Sequence, residues 1–172
     1  MTKICNTGAC RFVDIFNFFL SKHSIIEYIT HYEEQTKSVG RQLATMVSGS
    51  AIITLSGDLG AGKTTFTKGF SEGLGVKKTV TSPTFSLMNV YPVQDHQEIE
   101  QFVHIDTYRL ENEEELRAIG VEEYLGDAKT IVMIEWPEKV AVMLKKYKNV
   151  IEVKIGSGEK DDQRIIEVVG IE

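Results

Sequence analysis

Several residue types that would open whole function classes are scarce in this chain. Cysteine occurs twice in 172 residues, as Cys5 and Cys10. With no second pair their spacing fits no zinc site, so the expectation is free thiols in a reducing cytoplasm. Arginine occurs five times, as Arg11, Arg41, Arg109, Arg117 and Arg164, and the formal net charge is −6. Gripping a nucleic-acid backbone requires clustered cations to neutralise phosphates, so any nucleic acid is expected to be held by a partner. No apolar run approaches the ~20 residues of a membrane span. The most apolar stretch, residues 12–20, is interrupted by Asp14 and Asn17 and has no small-residue cleavage site. The expectation is therefore a cytoplasmic protein without membrane contact. No asparagine is followed by lysine, so the N-K-x-D motif that reads guanine is missing. The rest is ordinary: 42% hydrophobic and 26% charged residues are enough for one full core.

What the chain does carry is Gly57-Asp58-Leu59-Gly60-Ala61-Gly62-Lys63-Thr64, followed by Thr65. This is a G-x-x-x-x-G-K-T phosphate loop. An apolar run at 51–55 precedes it, and Phe66, Phe70 and Leu74 follow at helical spacing. Glycines let the backbone turn its N–H groups inward, where they and the helix N-terminus cradle a polyphosphate. Lys63 can place its charge on the β/γ-phosphates, and the Thr64 hydroxyl can ligate Mg2+.

Around this loop the pattern predicts strands at 24–30, 51–55, 86–91, 101–106 and 130–135. Helices are expected over 31–47, from the loop to Gly73 and Gly75, over 111–119, around 121–125 and from Pro137 to about 146. Residues 93–100 read as an exposed hairpin loop. Residues 151–155 and 164–169 alternate around a Gly/Asp-rich turn and read as a terminal hairpin. Residues 1–22 stand apart as an N-terminal extension, either loosely packed or disordered, or a short helix. In the helical reading Phe12, Val13, Ile15, Phe16, Phe19 and Leu20 form a face able to dock a partner.

A phosphate loop needs a carboxylate at a neighbouring strand end to orient Mg2+ and its waters. Asp106 and Glu135 are the candidates, and residue pattern alone leaves their roles open. Ser82-Pro83-Thr84 is either a turn fixed by proline or a segment that contacts the γ-phosphate and switches. His104 shares a strand face with Asp106, either as a structural histidine or as a phosphate contact. Trp136 is either a core aromatic or a wall of the nucleotide pocket.

Together G-D-L-G-A-G-K-T-T at 57–65, T-S-P-T-F at 81–85, H-I-D-T-Y-R-L at 104–110 and I-E-W-P-E at 134–138 resemble the bacterial ATPases of tRNA threonylcarbamoyladenosine biosynthesis, the TsaE (YjeE) family. The resemblance covers about residues 24–155. It implies an α/β P-loop NTPase domain over residues 23–172, a three-layer α/β/α fold with a mostly parallel sheet and a C-terminal β-hairpin. It implies slow hydrolysis of ATP with Mg2+, in a complex with a TsaD-like transferase and a TsaB-like paralogue, tRNA being reached through that complex. Carried over, Lys63 and Thr64 hold phosphates and Mg2+, Glu135 completes the metal site and Asp106 stands close to the γ-phosphate. Ser82 and Thr84 are then switch residues, Trp136 flanks the nucleotide, and Asp58 to Thr65 form the phosphate cradle. The alternatives are a small-molecule kinase, a GTPase switch and a nucleotide-sensing adaptor. Sparse arginine argues against the lid of a kinase, and the missing N-K-x-D motif against a GTPase.

Overall fold

Two kinds of strand sequence build the central sheet. Ile52–Ser56 and Thr130–Glu135 are mostly apolar and almost entirely buried, as parallel strands covered on both faces must be. Val150–Ser157 alternates buried and exposed residues, the pattern of a strand with one covered face. The computed structural model describes residues 2–6, 9–13 and 25–171, the first two stretches as paired strands only. In chain order the strands are β1 (Thr2–Asn6), β2 (Ala9–Val13), β3 (Ile25–Thr30), β4 (Ile52–Ser56), β5 (Met88–Pro92), β6 (Gln101–Asp106), β7 (Thr130–Glu135), β8 (Val150–Ser157) and β9 (Arg164–Val169). They form one sheet in the order β2-β1-β3-β9-β8-β4-β7-β6-β5. The centre, β8-β4-β7-β6, is parallel. The β8–β9 hairpin, the β9–β3 pair and the edge strand β5 are antiparallel. The parallel character expected of the sheet thus belongs to its middle, where the phosphate loop leaves β4.

Helices cover both faces. On one side α1 (Glu33–Ala44) and α2 (Lys63–Leu74) pack Leu43, Phe66, Phe70 and Leu74 against Ile53, Leu55, Phe102, Ile131 and Met133. Phe66 and Phe70 are fully buried, and each contributes roughly 1.5–3 kcal/mol of transfer free energy. The two helices touch backbone to backbone. A Cβ on Gly69 would lie 2.1 Å from the Lys37 carbonyl oxygen, and one on Gly73 2.8 Å from the Ala44 Cβ. Gly73 therefore packs helices together and does not end α2, as the sequence had suggested. Gly75 ends it, in the left-handed conformation at φ 90°.

On the other face Leu110, Leu116, Val121, Leu125, Val140, Met143 and Leu144 cover Ile52, Val103, Ile105, Val132 and Ile134. They come from α3 (Glu113–Ala118), α4 (Ala141–Leu144) and short 3-10 turns at Val121–Glu123 and Pro137–Val140, with Leu110 and Leu125 in the connecting segments. Asn112 caps α3 by accepting the Glu114 N–H, which starts the helix later than expected. The single helix expected after Pro137 is split in two. Val140 is fully buried and takes φ −126°, ψ 17°, outside the helical region, so the 3-10 turn and α4 cannot merge.

Phe12 and Val13, left open between a loose or disordered extension and a short helix, belong to β2, and β1 pairs in parallel with β3. Without β1 that side of β3 would present unpaired backbone groups, which is what a pairing hairpin satisfies. The rest of the helical reading, residues 14–20, and the thiols of Cys5 and Cys10 lie outside the described residues. Among the described residues no helix is long and apolar enough to cross a membrane.

Candidate functional site: a phosphate loop facing two carboxylates

The loop between β4 and α2 has the backbone that its glycines permit. Gly57 takes φ 143°, and a Cβ there would lie 2.2 Å from the Ile155 carbonyl oxygen of β8. Gly62 takes φ 106° as the residue that opens α2. Lys63, the first residue of α2, is buried at 6% exposure. Its ammonium donates to the carbonyls of Gly57 at 2.7 Å and Asp58 at 3.0 Å. Burial pushes the Lys63 amine below its ordinary value, and the charges of Glu135, Asp106, Asp58 and Glu138 oppose that shift.

The two carboxylates reach the same place for a reason of register. β6 and β7 are adjacent and parallel, with Asp106 opposite Glu135. Phe102 on β6 and Ile131 and Met133 on β7 point into the core under α2. With a two-residue period, His104, Asp106 and Glu135 point to that side too, beneath the loop. Asp106 is enclosed by donors. The hydroxyls of Ser82 and Thr84 donate to its Oδ2 at 2.9 and 2.7 Å, and the Tyr108 N–H donates to its Oδ1 at 3.0 Å. Glu135 has a different environment: its Oε1 lies 2.9 Å from His104 Nε2, and both side chains are buried.

Beyond Glu135 the chain is clamped. The fully buried Thr107 hydroxyl donates to the carbonyl of Glu135 at 3.0 Å and that of Trp136 at 2.6 Å. Trp136 takes a left-handed backbone at φ 59°, which costs a bulky residue on the order of 1–3 kcal/mol and is held by its surroundings. The result puts its indole 4.1 Å from the Lys63 ammonium, with Tyr108 5.1 Å away between ring centroids.

These groups line a cleft of about 470 Å3. Of the residues singled out in the sequence, Leu59, Gly60, Gly62, Lys63, Thr64, Thr65, Ser82, Thr84, Asp106, Glu135 and Trp136 line it. Asp58 and Ala61 do not: Asp58 supplies a carbonyl to Lys63, and Ala61 is buried behind the loop. Tyr108 and Arg109 were not in the expected set, yet both line the cleft. The Arg109 guanidinium stacks 4.4 Å from the ring centroid of Phe85, which is 87% exposed. A smaller cavity of about 190 Å3, lined by Tyr32, Thr36, Asp162 and Arg164, shares Gly60, Gly62 and Thr65 with the cleft. Two of those residues stand at the start of α1 and two at the β8–β9 turn, and no local motif announces them. A larger groove of about 550 Å3 runs between α4 and β8–β9, away from the loop. It has the volume for a ligand, but its lining includes neither Lys63, Asp106 and Glu135 nor any residue of the phosphate loop.

Comparison with known proteins gives the same answer from several directions. The family model described as "Threonylcarbamoyl adenosine biosynthesis protein TsaE" matches residues 30–166. A relative from Bacillus subtilis, named tRNA threonylcarbamoyladenosine biosynthesis protein TsaE, is 36% identical over 141 residues, covering 82% of this chain and 83% of its own length. A relative of the same name from Streptomyces coelicolor is 34% identical over 78% of this chain and 90% of its own length. The crystal structure of YdiB from Bacillus subtilis superposes with a TM-score of 0.69 at 28% identity, covering 89% of this chain and 90% of that one.

Proposed function

The chain belongs to the TsaE family of threonylcarbamoyl adenosine biosynthesis proteins, and we propose that it serves tRNA threonylcarbamoyladenosine modification as a Mg2+-dependent ATPase whose turnover partner proteins control. The observation that carries this reading is the convergence of Lys63, Asp106 and Glu135 on one cleft beneath the phosphate loop. Among the described residues no group of three or more Asp, Glu, His or Cys side chains gathers into an all-protein cage. The Thr64 hydroxyl and a Glu135 oxygen instead suit Mg2+ held jointly with substrate phosphates, the usual arrangement for this ion. When bound, Mg2+ would neutralise the β/γ-phosphate oxygens.

The chain's own groups divide the remaining work. The loop N–H groups and the start of α2 bind phosphate. Lys63 supplies a charge that is already partly desolvated, so its attraction to phosphate is weakly screened. Asp106, tied to Ser82 and Thr84, is placed to orient a water or respond to the γ-phosphate. The nucleoside end leaves the loop past Thr65 toward the Thr36–Arg164 cavity, and Trp136 walls the other end beside Lys63.

Turnover by the isolated protein should be slow. Fast phosphoryl transfer usually requires an added positive charge on the γ-phosphate, and Arg109 is stacked on Phe85. A partner that covers Phe85 touches the segment bearing Ser82 and Thr84, and so can move both that segment and Arg109. The partners proposed are a TsaD-like transferase and a TsaB-like paralogue. They would hold the tRNA, in keeping with a net charge of −6 on this chain. The test is phosphate release by the protein alone, then with those partners, then with tRNA added. A slow rate that changes with partners is expected. A rate near the ~10 s⁻¹ median of enzymes, indifferent to the partners, would overturn the reading.

A further inference from the structure

His104 is fully buried on β6. Its ring stacks over Phe102, with centroids 6.3 Å apart and planes 17° from parallel. Its Nε2 lies 2.9 Å from Glu135 Oε1, and its Nδ1 is buried with no hydrogen-bond partner. Among the described residues it is the one side chain bonded to the Glu135 carboxylate, and it takes Oε1 alone. A histidine that merely filled space would not need a nitrogen aimed at a carboxylate, and the bond leaves the other nitrogen with nothing to pair with. The two residues are diagonal neighbours on adjacent strands, since His104 pairs with Met133 and Asp106 with Glu135. The bond therefore crosses the sheet at the point where Glu135 turns into the cleft.

We infer that His104 is the positioning residue of Glu135. A carboxylate accepts, so Nε2 carries the hydrogen. The donated bond fixes the carboxylate plane and leaves Oε2 for the cleft that Glu135 lines. Partners of this kind orient a metal-binding carboxylate, and their loss typically costs about 10–100-fold in metal affinity. The inference rests on the reading of Glu135 as the Mg2+ residue, and it adds which side chain makes Glu135 competent.

Two measurements test it. In the wild-type protein, nitrogen NMR of the His104 ring, assigned through its correlations to the His104 backbone, should find hydrogen on Nε2. An Nε2 without hydrogen would overturn the inference, and this arm needs no variant. Calorimetry with a non-hydrolysable ATP analogue, in Mg2+ and in EDTA, then separates positioning from packing. His104→Phe should lose at least about tenfold of the affinity gained from Mg2+, with binding in EDTA unchanged. His104→Gln, whose amide N–H can replace Nε2–H, should recover most of that gain. A His104→Phe protein that keeps the full Mg2+ gain, or loses affinity equally in both conditions, would overturn the positioning role while leaving the Mg2+ reading intact. Wild-type affinity that ignores Mg2+ would instead overturn the Mg2+ reading and this inference with it.

Discussion

The ends of β6 and β7 carry one carboxylate each, in register with one another, and their surroundings differ. Asp106 receives its hydrogen bonds from the surface side, through Ser82, Thr84 and the Tyr108 backbone. Ser82 and the neighbouring Phe85 are exposed. Glu135 receives its hydrogen bond from a histidine with no exposed surface. One carboxylate is thus tied to a segment that a partner can reach, and the other is anchored to the core. A metal residue gains from rigid support, whereas a group that answers to a partner has to be connected to the surface. On that difference we propose that Glu135 serves the metal and Asp106 the γ-phosphate and its regulation.

The most severe way to break the comparison is to remove what both halves face. Lys63→Ala should cost about 3 kcal/mol or more in ATP binding, roughly 100-fold, because the phosphates lose a close charged partner. Calorimetry reads the affinity and circular dichroism the fold, which should persist because Lys63 meets the loop and not the hydrophobic core. Glu135→Gln comes next, with hydrolysis reduced on the order of 100-fold in a phosphate-release assay saturated with nucleotide. Asp106→Asn should lower hydrolysis less, by about tenfold, the equivalent of one charge-assisted hydrogen bond, and should flatten the response to partners. Ser82→Ala or Thr84→Ala singly should cost about 1 kcal/mol, and the pair more than the sum, because either hydroxyl alone still reaches Asp106 Oδ2.

The smallest effect is the pH dependence, and its sign follows from burial. The folded protein releases the Lys63 proton below the 10.5 of the unfolded chain. Between those two values the unfolded state binds more protons, so stability rises with pH there; below both it is constant. Nucleotide affinity runs the opposite way and falls over the same window, as the ammonium is lost. Denaturant and binding titrations from pH 7 to 10.5 should find both trends in the wild type, and neither contribution in Lys63→Ala.

How legible this was from the sequence depended on whether a residue's surroundings are local. The strands Gln101–Asp106 and Thr130–Glu135 have the bounds the apolar runs predict, and the phosphate loop is a contiguous motif with its own strand and helix. Asp106 and Glu135 were found because each ends such a run. The bond between His104 and Glu135 could not be read, since it depends on the register of β6 against β7. The Thr36–Arg164 cavity escaped for the same reason: its walls are far apart in sequence. Gly73 was misplaced because a glycine late in a helix reads as a stop, and only the approach of α1 reveals it as a packing residue. The strand at Phe12 and Val13 was not legible, because a short aromatic run has no period that separates helix from strand; its pairing with β1 makes it one.

The most direct test of this account is the Mg2+ dependence of nucleotide affinity, measured by calorimetry on Glu135→Gln and Asp106→Asn side by side with the wild type. Glu135→Gln should lose most of the affinity that Mg2+ adds, while Asp106→Asn should keep it. A Glu135→Gln protein with the full Mg2+ gain, beside an Asp106→Asn protein without it, would contradict the division of labour between the two strand ends.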